Sequence, residues 1–265
     1  MDILNDIVLR TRERVREKSD IIPMEKIKKM AERSDVLNGF PFEDALTGND
    51  IGFICEIKRS SPSAGLISDN FDHLRIAEEY HAAGAAAISV ITEPYYFQGD
   101  DLYLMGVSSA LPIPVLRKDF IVDRYMIYEA KLLGASAVLL ICSILDKDTL
   151  AEYIGIAHRI GLSALVEVHN EEEVYAAIEA GARIIGVNNR DLRTLEIDLS
   201  ISERLRPLVP PNIIFVAESG MRTPDDVERM RRIGANAILV GETLMRSSDK
   251  TKGLKVLRGG SVGEN

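Results

Sequence analysis

Cysteine, histidine, long apolar runs and surplus positive charge are all scarce in this 265-residue chain, and each scarcity removes a class of function. The two cysteines, Cys55 and Cys142, stand far apart inside apolar runs. They form neither a disulfide framework nor a metal-ligand pattern and read as buried free thiols of a reducing compartment. The four histidines, His73, His81, His158 and His169, share no ligand spacing. They read as surface or helix-packing residues, and no metal is expected. A membrane-spanning helix needs about 20 predominantly apolar residues in a row, and no stretch approaches that. The opening MDILNDIVLRTRERVREK is charged and amphipathic and lacks the apolar core of a secretory leader. The expected location is cytoplasmic, with no membrane partner. A formal charge of −9 argues against a nucleic-acid partner, whose phosphates want a basic face. It leaves room for a small anion bound at a locally positive site.

What is present is a globular composition, 46% hydrophobic and 28% charged, sufficient for a sizeable core. Short runs rich in Val and Ile recur along the chain: GFICEIK (52–58), AAISVIT (86–92), IPVLRKD (113–119), AVLLIC (137–142), SALVEV (163–168), IIGVNN (184–189), IIFVAE (213–218) and AILVG (237–241). Each has the nearly continuous apolar character of a parallel strand buried on both faces. Amphipathic stretches at 71–83, 124–133, 147–160, 171–180 and 224–233 lie between them and predict helices. The units HAAGAAAISV, KLLGASAVLL, IEAGARIIGV and RRIGANAILV share one grammar of helix end, Gly, Ala, strand. Gly84, Gly134, Gly181, Gly234 and also Gly161 fall where a helix closes in the left-handed conformation.

Such repeated units predict an α/β fold, and about eight of them most simply close into a (β/α)₈ barrel, which takes about 250 residues. The expectation is one barrel domain over 1–265. Residues 1–50 form a helical extension, 51–257 the barrel, and 258–265 a frayed tail. The extension contains two helical patterns, at 2–19 and 23–33. It suits equally a plug for the barrel bottom and a lid or wall of a site.

Strand side chains alternate faces. In GFICEIK, Phe53, Cys55 and Ile57 share one face, and Ile54, Glu56 and Lys58 share the other. A carboxylate and an ammonium therefore point into the barrel mouth, where burial is costly unless the charges are paired or used. Four more runs deliver polar groups at their C-terminal ends: Lys118; Glu167; Asn188 with Arg190; and Glu218 with Ser219 and Gly220. Active sites of this fold lie at that end of the barrel. The stretches after the seventh and eighth strands, ESG and GET (241–243), set small residues where backbone N–H groups can face a phosphate. The polar loop RSSPSAG (59–65) follows Glu56 and Lys58 and predicts a connection or a substrate-binding loop.

The ordered set EIKRSSPS, ITEPYYFQG, RKDFIVD, LVEVHN, GVNNRDL, VAESGM and LVGETLMR resembles the motifs of the indole-3-glycerol phosphate synthase family, from about residue 50 to residue 246. The resemblance implies closure of the pyrrole ring of 1-(2-carboxyphenylamino)-1-deoxyribulose 5-phosphate with loss of carbon dioxide and water, in tryptophan biosynthesis. It implies neither a metal nor an organic cofactor. By the same resemblance Lys118 is a general acid and Glu167 the base of the dehydration. Glu56 and Lys58 form a second acid–base pair, and Asn188 orients the active-site groups. Ser61 and Arg190 are candidates for the anthranilate carboxylate, and Phe120 lines the ring pocket. Ser219, Gly220 and Gly241 match the phosphate cradle, and Glu218, Leu239 and the backbone of Glu242 are placed with the substrate-binding set. Where some members carry Ser, this chain has Glu242, whose side chain is expected to turn away from a bound dianion.

The expected partner is a small phosphorylated molecule, with the chain a monomer or weak homo-oligomer. Complexes with other tryptophan-pathway enzymes are compatible with it. Two other readings stay open at this point: another phosphate-binding barrel such as phosphoribosylanthranilate isomerase, and a non-catalytic barrel subunit.

Overall fold

The computed structural model describes residues 3–34, 39–68, 71–191 and 194–260. Eight parallel strands follow one another around a closed barrel: β1 (Gly52–Ile57), β2 (Ala87–Ile91), β3 (Val115–Lys118), β4 (Ala137–Ile141), β5 (Ser163–Val168), β6 (Ile184–Asn188), β7 (Ile214–Glu218) and β8 (Ala237–Val240). Strand β8 closes the ring on β1, pairing Gly52 with Ala237 and Cys55 with Val240. The fold is a (β/α)₈ barrel.

The alternation expected from sequence divides the core in two. Outward side chains such as Phe53, Cys55, Ile57, Val166 and Phe215 pack beneath the helices. Inward ones, among them Ile54, Leu116, Leu139, Leu165, Val216 and Leu239, fill the barrel itself.

Twelve helices are described: α1 (Ile3–Ile21), α2 (Met24–Glu32), α3 (Pro41–Leu46), α4 (His73–Ala82), α5 (Asp101–Ala110), α6 (Arg124–Leu132), α7 (Lys147–Arg159), α8 (Glu171–Glu179), α9 (Ser200–Leu205), α10 (Pro224–Arg232), α11 (Glu242–Arg246) and α12 (Lys250–Leu257). Most open on a side-chain cap. Asp72, Asp100, Asp123, Asp146, Asn170, Thr223 and Asp249 each accept a hydrogen bond from a first-turn amide, which satisfies a donor the helix cannot pair internally. Helix α5 escapes a reading of periodicity because apolar residues run around it. Leu104 and Val107 are buried, whereas Leu102 and Met105 are exposed.

The two roles left open for the N-terminal extension are divided between its helices. Helix α3 plugs the bottom of the barrel: Phe42 and Leu46 are fully buried against the inward residues. Burial of each contributes roughly 1.5–3 kcal/mol. Its Glu43 accepts from Ser163 at 3.0 Å and Arg183 at 2.7 Å, which fixes the plug to the N-terminal ends of β5 and β6. Helix α1 lies at the other end. Its Arg14 makes two hydrogen bonds to the buried Asp119 carboxylate, at 2.8 and 2.9 Å. Lys18 pairs with Asp101 at 2.5 Å and Glu129 at 2.6 Å. These acids also hold Arg117, which is wholly buried on the outer face of β3. A buried guanidinium costs several kcal/mol unless paired, and α1 helps to complete that pairing.

Of the expected tail, residues 261–265 lie outside the described set. Arg258 is held in place: its guanidinium donates to the Gly84 carbonyl and lies over the Phe53 ring. Among the described residues no helix is long and apolar enough to cross a membrane.

Candidate active site

Strands β1, β3, β5, β6 and β7 end at the same mouth of the barrel, and their terminal polar residues meet there. A cavity of about 470 Å³ is lined by every residue singled out from sequence: Glu56, Lys58, Ser61, Lys118, Phe120, Glu167, Asn188, Arg190, Glu218, Ser219, Gly220, Leu239, Gly241 and Glu242. That volume suits a molecule of drug size.

At the centre stands Lys118. Its Nζ lies 3.4 Å from Oε2 of Glu167 and 3.5 Å from Oε2 of Glu218. Burial alone would weaken its hold on the proton, but Glu167, Glu218 and Glu56 outweigh that and raise its pKa. It stands as an ammonium at neutral pH. Glu167 goes the opposite way. Burial would raise its pKa, yet Lys118 and His169, with the Asn188 amide, lower it, and it stands ionised. Asn188 donates to Oε1 of Glu167 at 3.2 Å and accepts from the Arg190 amide at 3.0 Å. Glu218 differs from both. It is buried, its oxygens accept no hydrogen bond among the described residues, and burial pushes its pKa up to about 7. An ammonium, a carboxylate and a poised carboxyl thus share one site, the separation of ionisation states that acid–base chemistry needs.

A second pair lies at the end of β1, where Lys58 Nζ is 2.7 Å from Oε1 of Glu56. Gly241 on β8 makes room for it: a Cβ there would come within 2.3 Å of that oxygen. The following loop doubles back as two short antiparallel strands, Ser60–Ser61 and Gly65–Leu66. Ser61 is buried, and its hydroxyl lies 3.3 Å from that of Ser63.

At the rim beyond β7 and β8, Ser219 (φ 64°) and Gly220 (φ 91°) both take left-handed backbone. Such a conformation is costly for serine, and strain of this kind clusters at ligand-binding segments. A Cβ at Gly220 would strike Ile197 at 2.7 Å, so only glycine fits. The Glu242 carboxylate lies between two guanidinium groups, 3.0 Å from Arg246 and 3.8 Å from Arg190. Arg190 also donates to the Leu195 carbonyl at 3.0 Å.

The apolar wall was only partly foreseen. Ile91, Leu139 and Ile141 line the cavity as strand alternation requires. Phe97 faces Phe120 with ring centroids 6.1 Å apart. It is presented by a turn in which buried Glu93 accepts from the amides of Tyr95, Tyr96 and Phe97. Ile3, Leu4 and Ile7 of α1 complete the wall, and no sequence signal places them there.

One sequence expectation is corrected. His73 and His158 do pack on aromatic rings, of Tyr103 and Phe40, and His81 is exposed. His169, however, does more than lie against a helix: besides Glu173 of α8 its ring meets the buried Glu167. It directly follows β5, with its ring between Glu167 and Glu173. Alternation would have found it, because residues 167 and 169 share a face. Cys142 lies nearby, but burial, with Glu173 and Glu167, pushes its thiol up to about 12 and leaves it a poor nucleophile. Among the described residues no group of three or more His, Cys, Asp or Glu is arranged to hold a metal ion.

Comparison with known proteins agrees with this geometry. Residues 4–257 match the sequence model of the family described as indole-3-glycerol phosphate synthase. The indole-3-glycerol phosphate synthase of Ruminiclostridium cellulolyticum is 54% identical, over 97% of this chain and 99% of that protein. That of Lachnoclostridium phytofermentans is 49% identical, over 94% and 96%. Among solved structures, 3-hexulose-6-phosphate synthase from Salmonella typhimurium superposes with a TM-score of 0.65 at 13% identity, covering 78% of this chain and 96% of that one. A mutant tryptophan synthase alpha-subunit from Pyrococcus furiosus does so with a TM-score of 0.61 at 15% identity, covering 79% and 98%. At such identities the structural likeness shows the barrel alone. The sequence relationships go further: the chain belongs to the indole-3-glycerol phosphate synthase family, carboxy-lyases of tryptophan biosynthesis.

Proposed function

We propose that Lys118 is the general acid of indole ring closure in this chain and that Glu167 is the base of the dehydration that follows. The observation that carries this reading is the placing of the Lys118 ammonium between Glu167 and Glu218 at the cavity floor, at 3.4 and 3.5 Å.

The substrate, 1-(2-carboxyphenylamino)-1-deoxyribulose 5-phosphate, lies with its aromatic ring between Phe120, Phe97 and the α1 wall. Its carboxylate meets Ser61 and Arg190. Its phosphate lies at the rim formed by Ser219, Gly220 and Gly241, with Leu239 beneath and the Glu242 amide beside it. The ring carbon bearing the carboxylate attacks the ketone carbon, and Lys118 gives its proton to the ketone oxygen as that oxygen gains charge. The carboxylate leaves as carbon dioxide, and its bonding electrons restore the aromatic ring. Glu167 then takes a proton from the ring CH2 carbon beside the anilino nitrogen, and the electrons of that C–H bond form the ring double bond as the new hydroxyl departs. A proton from the second acid, Lys58, completes the water, and Glu56 holds Lys58 at that position. Asn188 fixes the Glu167 carboxylate, and Glu218 completes the electrostatic setting of Lys118.

No metal or organic cofactor enters this scheme. The two free cysteines fit a reducing, cytoplasmic setting.

The test is turnover of the carboxyphenylamino-deoxyribulose phosphate, followed by indole absorbance, in the wild type and in Lys118→Ala. General acid–base catalysis is worth about 10²–10⁴, so the variant is expected to lose ~10²-fold or more in kcat with an unchanged circular-dichroism spectrum. Near-normal turnover would remove Lys118 from the role.

A further inference from the structure

His169 belongs to a motif, LVEVHN, whose strand carboxylate, Glu167, already has a role. Its surroundings are unusual for a residue that only joins a strand to a helix. Nε2 is buried and lies 3.4 Å from Oε1 of Glu167, without a formed hydrogen bond. Nδ1 lies 3.2 Å from Oε2 of Glu173 in the first turn of α8. The ring therefore bridges a carboxylate in the cavity and a carboxylate outside it. Of the cavity-lining groups that approach Glu167, Asn188 comes from β6 and Lys118 from β3. His169 reaches it from two positions further along the chain, just past the end of β5.

A plainer reading is that His169 merely caps α8. The cap, however, does not need the ring. Asn170 accepts from the Glu173 amide at 2.9 Å, and Glu173 accepts from the His169 backbone N–H at 2.8 Å. Both bonds survive replacement of the imidazole, so the placement of the ring calls for another explanation.

We propose that His169, backed by Glu173, is a positioning residue that holds the Glu167 carboxylate ionised and aimed at the reacting centre. This rests on the assignment of Glu167 as the base. Two cations facing one carboxylate, Lys118 at Oε2 and the His169 imidazolium at Oε1, fix its direction and keep it from taking the Lys118 proton before substrate arrives. Once Lys118 has given its proton away, the imidazolium remains as the counter-charge and Glu167 stays available as a base.

The ionisable groups facing His169 are Glu167 on β5, Glu173 on α8 and Glu218 across the mouth on β7. Cys142, after β4, has its sulfur 3.9 Å from the Glu173 carbonyl. Burial of the ring opposes its protonation, but the two neighbouring carboxylates outweigh this and raise it to about 10. The ring is therefore a cation through the neutral range.

The experiment compares pH profiles of kcat and kcat/KM for the wild type, His169→Gln, Glu173→Gln and Glu167→Gln. Losing the cation beside Glu167 raises the pKa of that carboxylate, so in His169→Gln the acid limb moves to higher pH. Its kcat falls about 10- to 100-fold through lost alignment, with KM unchanged. Glu173→Gln, which leaves the cavity and the ring intact, shifts the limb in the same direction by less. Imidazole ¹⁵N shifts in the wild type report both nitrogens of His169 protonated at pH 7.

An unmoved acid limb in both His169→Gln and Glu173→Gln, or a neutral His169 ring at pH 7, overturns the inference while leaving the base assignment standing, provided Glu167→Gln has lost turnover. Retained turnover in Glu167→Gln overturns the base assignment and this inference with it. Should His169→Gln fail to fold, Glu173→Gln and the ¹⁵N shifts decide.

Discussion

The carboxyl of Glu218 occupies the space that a side chain at Gly186 would fill: a Cβ on residue 186 would lie 2.1 Å from Oε1 of Glu218. The two residues face each other across β6 and β7, one strand apart, where Gly186 pairs with Val216 and Asn188 with Glu218. Burial of an acid this deep depends on that missing side chain.

Gly186→Ala is therefore expected to push the Glu218 carboxyl out of its place beside Lys118. The obstacle is chiefly the end of a long side chain, which can move, so the stability cost stays in the overpacking range of about 1–3 kcal/mol. The catalytic cost is larger. A displacement of about 1 Å among acting groups can lower the rate about 10²-fold. Steady-state kinetics beside a thermal melt checks this: kcat should collapse while the fold persists. Unaltered kcat would show that the position of Glu218 is immaterial.

Glu218 also sets a pH dependence of stability. Its folded pKa, about 7, stands above the ordinary glutamate value, because burial penalises the carboxylate. Unfolded glutamate titrates near 4.3, so the protonated form is preferred by the folded state. The resulting stabilisation is fully present below pH ~4 and is lost as pH rises through about 7. Glu218→Gln keeps the shape of the neutral acid and cannot ionise. Its melting temperature relative to the wild type should therefore rise between pH 5 and pH 8. Melts at those two pH values test the sign, and a difference that stays constant or falls would contradict it.

Arg14 joins the extension to the floor of the site, through Asp119, the residue after Lys118. In Arg14→Ala the buried Asp119 keeps Thr92 at 2.7 Å and Arg117 at 3.5 Å but loses its two-pronged partner. Removing one member of a buried pair costs about 3–5 kcal/mol when nothing else compensates, and these remaining contacts bring the expected loss to the lower end. Helix α1 should lose amide protection in hydrogen exchange before the barrel does. KM should rise, because Ile3, Leu4 and Ile7 no longer hold the wall of the cavity. Unchanged protection of α1 together with unchanged KM would mean that the helix is held by its other contacts alone.

Much of this could be read before any coordinates. Strand alternation is a local property, so it placed Ile54, Glu56 and Lys58 on one face and Phe53, Cys55 and Ile57 on the other, as observed. The repeated joints are local too: Gly84, Gly134, Gly161, Gly181 and Gly234 all have φ between 75° and 85°. Helix α5 was missed because its apolar residues surround it, and α3 because only six residues form it.

The sequence by itself determined the eight strands, the identities of the groups at their ends and the family to which the motifs point. Only the tertiary structure decided which of those groups touch. Barrel closure brings Glu167 and Glu218 to 3.4 and 3.5 Å from the Lys118 ammonium. It sends α3 to the bottom and α1 to the mouth, and it turns His169 onto Glu167 and Glu218 into the hollow at Gly186. Period and spacing record which way a side chain faces along its own strand. What it meets is set by strands far away in the chain, and so is the proton it holds, because burial and neighbouring charge move a pKa and neither is local.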